Sequence, residues 1–299
     1  MEVQTPADLR TALALTPVPA RPGLYRGELD RSWSFIIPSG GVLTSLALAA
    51  MRLDLLRLGG THLVPSGATA TFCSAVAEGP LDVEVTVLRH GKTATQMRAN
   101  VRPRGQGAAP GDVGLEVVAT WVEPRTNDAF PPRAWVPTPD FPMAAEAEIY
   151  DPSVTGITPP PFYRNLEVRR AKGDVWWKKT WGPGEPHVAR WYRYLVPPAM
   201  PGEDGRLDPL ALPPIADTMA SAVHQALGSQ EPPLLFPSLD LTVHFTAPRS
   251  GVAERPLLVD CYATSIYEGT ATARGEVWQD GILLATATQT MTLRTIKSR

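Results

Sequence analysis

The sequence predicts an α+β protein of two similar units, each a long apolar helix laid against an antiparallel sheet, with the two sheets joined edge to edge. Three observations carry this. A phrase is written twice, LVPSGATATFCS at 63–74 and LFPSLDLTVHFT at 235–246, with Ser66 and Ser238 172 residues apart. Two further pairs follow in the same order: EGPLDVEV from Glu78 with ERPLLVDC from Glu254, and HGKTATQMRANV from His90 with EGTATARGEV from Glu268. That is the mark of a duplicated unit of roughly 100 residues rather than of a solenoid, whose repeats run to about 20–50. Finally, each half runs strand, helix, then several long strands. Pairing the halves hides the edge that a lone sheet would expose.

The first unit is expected over 1–125. It opens with a short strand, LYRGEL. In SGGVLTSLALAAMRLDLLRLGG, Ser39 has the character of an N-cap and Gly59-Gly60 of a stop. Leu43, Leu46, Ala47, Ala50 and Leu53 recur at helical spacing. Leu48, Met51, Leu55 and Leu56 fill much of the remainder, and a helix so apolar is expected to be wrapped by other structure. TATFCSAV, LDVEVTVLRH, ATQMRANVRP and GLEVVATWVE follow as strands.

Residues 126–164 are expected to be a linker. Prolines crowd it and deny both helix interiors and central strands; Trp135 and Phe141 are its expected anchors. The second unit is expected over 165–299. NLEVRR, VWWKKTW and ARWYRYL are its early strands. LPPIADTMASAVHQALG is its helix, started by Pro213-Pro214 and ended at Gly228. SLDLTVHFTA, RPLLVDCYATSI, TATARGEVW and ILLATATQTMTLR complete the sheet.

Composition excludes several function classes. The chain has 299 residues, a formal charge of −2, 43% apolar and 19% charged residues. A near-neutral chain with no basic block gives no electrostatic case for nucleic acid or an anionic membrane. MEVQTPADLR is acidic and polar, unlike a signal peptide. The longest apolar run, GGVLTSLALAAM, is too short for a bilayer. Cys73 and Cys261 make no disulfide framework, so a cytoplasmic location is the default, and both cysteines are expected as small buried side chains. His62, His90, His187, His224 and His244 show no metal spacing. No GxSxG elbow is present. No metal or cofactor is expected.

A few polar residues break the pattern. In the last strand Leu283, Ala285, Ala287, Met291 and Leu293 alternate on one face, and Gln289 interrupts them. A buried amide must find partners or cost about 1–3 kcal/mol. It either bonds nearby backbone or holds a water. Asp217, early in the second helix, either complements the helix dipole or serves as a base kept ionised. Ser238, after Pro237, is either a turn hydroxyl or a site group. Gly40 and Gly41 lie where the second helix carries its Asp; they allow either close packing or a helix-terminal oxyanion donor. His244, six residues after Ser238, is a structural histidine or lines a pocket. Trp176, Trp177, Trp181 and Trp191 either pack the core or line an acyl tunnel.

The tandem layout resembles the double hotdog fold of the acyl-CoA thioesterase II family, over 22–125 and 165–297. ARGEVWQDGILLATATQTMTLR, with Asp280-Gly281 at its turn and a late Gln, is the strongest local match; IADTM and SLDLTVHF also fit. The resemblance implies a catalytic Asp, Thr or Ser, and Gln in the second unit, which fall on Asp217, Ser238 and Gln289. Ser in place of the commoner Thr keeps the hydroxyl. It further implies hydrolysis of acyl-CoA, as in fatty acid metabolism, by a water that attacks the thioester directly. CoA is then part of the substrate rather than a cofactor. The resemblance is also the sole ground for expecting a homo-oligomer. The first unit has Ser66 opposite Ser238 but Thr120 or Trp121 near the Gln position, so one working site is expected. Two alternatives share this fold: a non-catalytic or carrier-protein-directed acyl-thioester binder, and a hydratase or dehydratase using Asp217 with His224.

Overall fold

The two phrases that repeat in the sequence lie side by side at the centre of one sheet. A computed structural model of the chain describes residues 5–104, 113–125, 132–151, 158–173, 180–203, 205–230 and 233–295. The first unit supplies β1 (Thr16–Pro17), β2 (Leu24–Leu29), β3 (Val64–Phe72), β4 (Gly79–His90), β5 (Ala94–Pro103) and β6 (Leu115–Val122). The remainder supplies β7 (Glu148–Ile149), β8 (Leu166–Lys172), β9 (His187–Tyr194), β10 (Leu234–Leu235), β11 (Ser238–Phe245), β12 (Leu257–Tyr267), β13 (Thr270–Gln279), β14 (Ile282–Thr292) and β15 (Arg294–Thr295). Among the described residues, thirteen strands form one antiparallel sheet in the order β1-β2-β4-β5-β6-β3-β11-β14-β13-β12-β9-β8-β7, while β10 and β15 pair apart from it. The seam is β3 against β11, from Gly67↔His244 to Thr71↔Asp240. Thr69 and Thr242 join hydroxyls across it at 3.1 Å. Both outer edges are two-residue strands, which leave little backbone for another chain to pair with.

The first helix, Gly40–Arg57, is capped by Ser39, whose hydroxyl accepts from the Val42 amide. Gly41 to Met51 are all buried. The sheet covers one side of this helix, and the helical turn Leu212–Ala216 of the second unit covers another. This is the wrapping that an all-round apolar helix demands.

The second unit has no matching long helix. Leu212–Ala216 ends at Asp217, and a new helix runs Ala220–Leu227. Two hydroxyls bond the backbone at the break. The Thr218 hydroxyl donates to the Ile215 carbonyl at 2.8 Å, and the Ser221 hydroxyl to the Thr218 carbonyl at 2.8 Å. Such bonds give the backbone an alternative to the helical ladder. The picture of one long helix per unit is corrected accordingly: the sheet is continuous, but only the first unit's helix is.

Between the units, Trp135 is 83% exposed with the Arg133 guanidinium over its ring, whereas Phe141 packs edge-on to His187. The buried anchor is Phe162, which meets Trp33 and Phe35. Cys261 is buried but Cys73 is exposed, contrary to the expectation for both. Trp176 and Trp177 lie outside the described residues. Trp181 and Trp191 donate to the His224 and Pro142 carbonyls and serve packing. No described helix is long and apolar enough to cross a membrane.

Candidate active site

The helix break sets down the Asp217 carboxylate against the start of the other unit's helix. Asp217 Oδ2 accepts from the Gly41 amide at 2.8 Å and from the Ser39 hydroxyl at 3.2 Å. A first-turn position in its own helix was one expectation. Asp217 instead ends a helical turn, and the positive helix end that it complements belongs to Gly40–Arg57. Gly41 is required for this approach. A Cβ there would lie 2.3 Å from the Pro213 carbonyl oxygen and 2.8 Å from Asp217 Cβ.

Gln289 completes the group. Its Nε2 donates to Asp217 Oδ1 at 2.6 Å and to Ser238 Oγ at 2.7 Å. Its Oε1 is buried without a hydrogen-bond partner. The residue is 2% exposed. A buried carbonyl in that state calls for a donor, and a water or substrate group is the natural one.

Ser238 reaches this face through a β-bulge. β11 advances from Ser238 to Asp240 while β14 moves one residue, from Met291 to Thr290. Leu239 is the extra residue, so Ser238 sits opposite buried Met291, on the side of Gln289. The Asp240 carboxylate accepts from the Thr290 amide at 3.0 Å and steadies the bulge.

Burial pushes the Asp217 pKa up to about 6, while the Gly41 amide, the Gln289 amide and the Ser39 hydroxyl hold it down. A carboxylate poised there is mostly ionised at neutral pH yet basic enough to take a proton.

The structure therefore brings together Asp217, Ser238, Gln289, Gly40 and Gly41. His244 is left out: it is exposed, pairs with Thr286 and lies on the opposite face of the sheet. Of the two glycines, Gly41 has its amide engaged by Asp217. His224 does not reach Asp217; it packs against Phe236 at 4.3 Å between centroids and against Trp181. Ser39 was legible as a cap but not as a carboxylate partner. Among the described residues, no His, Cys, Asp or Glu cluster suits a metal.

The first unit's counterpart is empty of chemistry, in a register that differs from the sequence rhyme. β3 bulges between Pro65 and Gly67. Pro65 opposite Trp121 thus takes the place of Ser238 opposite Met291, and Ala119 opposite Ala68 that of Gln289 opposite Leu241. Ser66 is the bulged residue, and neither Thr120 nor Trp121 corresponds to Gln289.

Comparison with known proteins agrees with this layout. Residues 29–122 match the family described as the acyl-CoA thioesterase N-terminal domain, and 142–293 the acyl-CoA thioesterase C-terminal domain. No curated protein matches. Among solved structures, a hot dog fold protein of unknown function from Alicyclobacillus acidocaldarius is 20% identical, with 97% of this chain and 98% of that one covered and a TM-score of 0.75. The acyl-CoA thioesterase II TesB2 from Mycobacterium marinum is also 20% identical, covering 96% and 98%, with a TM-score of 0.65. The tesB protein from Mycobacterium avium subs paratuberculosis is 18% identical over 96% and 98%, with a TM-score of 0.68. These identities speak for the fold alone. The two family matches together span most of the sequence and both halves of the sheet, and the chain belongs to the acyl-CoA thioesterase family.

Proposed function

We propose that the protein hydrolyses acyl-CoA thioesters to free acid and CoA, with Asp217, Gln289 and Ser238 acting on a water. The observation that carries this is the contact set Ser238–Gln289–Asp217, closed from the other unit by Ser39 and Gly41. The water would sit against Asp217 Oδ1, with the unpartnered Gln289 Oε1 nearby to accept one of its protons. Asp217 removes a proton as the water oxygen attacks the thioester carbon. The carbonyl becomes an oxyanion, and collapse expels the CoA thiolate. The proton held on Asp217 passes to the departing sulfur, so one water yields one carboxylic acid and one thiol. Ser238 accepts from Gln289, which leaves its own O–H to donate to the water or to the oxyanion. The amide and the hydroxyl fix geometry, and the carboxylate moves the proton. The separation of His224 from Asp217 favours hydrolysis over a hydratase that needs both.

Free-thiol release from acyl-CoAs of graded length tests this. Wild type should release thiol, and Asp217→Asn and Gln289→Ala should each lose about 100-fold or more, the scale of an acid–base contribution. Tight binding of acyl-CoA with no release at any length would leave a binding protein instead.

A further inference from the structure

The ring of Phe72 lies against the helix end that holds Asp217. Phe72 is the last residue of β3, in the first unit. Along that strand Ala68 and Ala70 are buried while Thr69 and Thr71 are exposed, so alternation turns Phe72 toward the core, where it packs half-buried. Its backbone is held on both sides: Phe72 pairs with Leu115 of β6, and the Cys73 amide donates to the Gly114 carbonyl at 2.9 Å. The tip of the ring reaches Gly40. A Cβ there would lie 2.5 Å from Phe72 Cζ and 2.6 Å from its Cε1, and the same point is 3.4 Å from Asp217 Oδ2. Ring and carboxylate thus meet at one residue, and they can do so because it has no side chain.

Asp217 is faced from the first helix by the Ser39 hydroxyl and the Gly40 and Gly41 amides, from β14 by Gln289, and from the linker by the Tyr163 phenol. Burial keeps that phenol neutral. Beside the turn Pro209–Ala211, Asp208 is paired with Arg52. The hydroxyl and the amides hold the carboxylate's charge. What opposes it is the exclusion of water: Asp217 is 8% exposed, and burial is the largest cause that lifts it to about 6. On the Gly40 side, the cover is the Phe72 ring.

We propose that Phe72 is a positioning residue of the site: its ring seals the Gly40 end of the first helix and keeps bulk water from the Asp217 carboxylate. The effect on rate rests on the hydrolytic reading; the seal itself does not. A phenyl ring suits the task because it displaces water and offers no donor that would stabilise the charge further. The sign follows. Without the ring, water solvates the carboxylate and favours its ionised form, so Asp217 takes up its proton at a lower pH. A weaker base is then slower to remove a proton from the attacking water. A ring that only fills space would change stability and leave that pH alone.

The test is Phe72→Ser beside Phe72→Leu, which keeps an apolar side chain over Gly40. Two midpoints are followed: the pH limb of thiol release, and the NMR titration of the Asp217 side-chain carboxyl carbon, identified by its loss in Asp217→Asn. In Phe72→Ser both should fall by about one pH unit, the size of a partial loss of desolvation, with a lower plateau of release. In Phe72→Leu both should stay near those of wild type. Should Phe72→Ser not fold, Phe72→Val carries the same prediction with a side chain that suits a strand but is too short to cover Gly40. A carboxyl midpoint that stays in place or rises, with only the melting temperature lowered, would make the ring a packing group and overturn the proposal. If the carboxyl midpoint falls as expected but wild type releases no thiol from any acyl-CoA, the hydrolytic reading fails and the seal stands.

Discussion

The Gly41 amide nitrogen lies 2.8 Å from Asp217 Oδ2, so the carboxylate of one unit is held by the helix terminus of the other. With Ser39 on the same oxygen and Gln289 on Oδ1, these donors favour its charged form, against burial that disfavours it.

The balance sets a pH profile. Thiol release should rise along a single limb centred near pH 6 as Asp217 ionises, and level off above it. Asp217→Asn should abolish the limb. Ser39→Ala removes a donor to the charged form and should move the limb to higher pH, with the plateau reached later. A limb that stays in place in Ser39→Ala would show that the hydroxyl does not act on the carboxylate.

Stability should run the other way. The folded pKa of about 6 lies above the ordinary carboxylate value of 3.8, so the folded state binds more protons between them and loses stability as pH rises through that window. At neutral pH the ionised carboxylate costs the fold about 3 kcal/mol relative to a neutral group there. Asp217→Asn should therefore melt at a higher temperature than wild type at pH 7, with the two converging toward pH 4. Parallel melting curves across that range would refute the cost.

The two glycines should respond differently. A Cβ on Gly41 meets backbone, the Pro213 carbonyl oxygen at 2.3 Å and Pro214 Cα at 2.7 Å, so Gly41→Ala should push the units apart and cost about 1–3 kcal/mol or more together with activity. A Cβ on Gly40 meets the Phe72 ring at 2.5 Å, a side chain that can be trimmed. Gly40→Ala should be impaired and Gly40→Ala/Phe72→Ala less so, as read by thermal melting and thiol release.

A second tie between the units lies away from the site. The Arg52 guanidinium donates to both oxygens of Asp208, which is 4% exposed, and Asp208 also accepts from the Leu210 amide. Arg52→Ala leaves a buried carboxylate short of a partner and should lower the stability measured by urea by about 1–3 kcal/mol, with little change in the pH midpoint of activity.

Much of this was legible in the chain because it is local. LYRGEL and ATQMRANVRP coincide with β2 and β5, and Ser39 begins the first helix as its side chain predicts. Gln289 stood out because alternation fixes its face. The misreadings have physical causes. A bulge adds one residue with no mark in composition, so Ser66 matched Ser238 by letter while Pro65 holds its place. The helix break has no mark in composition: hydroxyls bond backward at Thr218 and Ser221 beside it, and equally at Thr44 and Ser45 inside the unbroken first helix. The bond from Gly41 to Asp217 spans 176 residues, and no local pattern encodes such a contact.

The unlike residues at matching positions of the two halves have a consequence for stoichiometry. A symmetric pair of separate identical units would have to carry the same residues in both clefts. Joined in one chain, the halves are released from that identity: one keeps Ser238 and Gln289, and the other keeps Pro65 and Ala119 in their places. The first unit's helix terminus meets its neighbour's carboxylate through Ser39 and Gly41. A tight-binding inhibitor that titrates the protein should count one site per chain of 299 residues, not two.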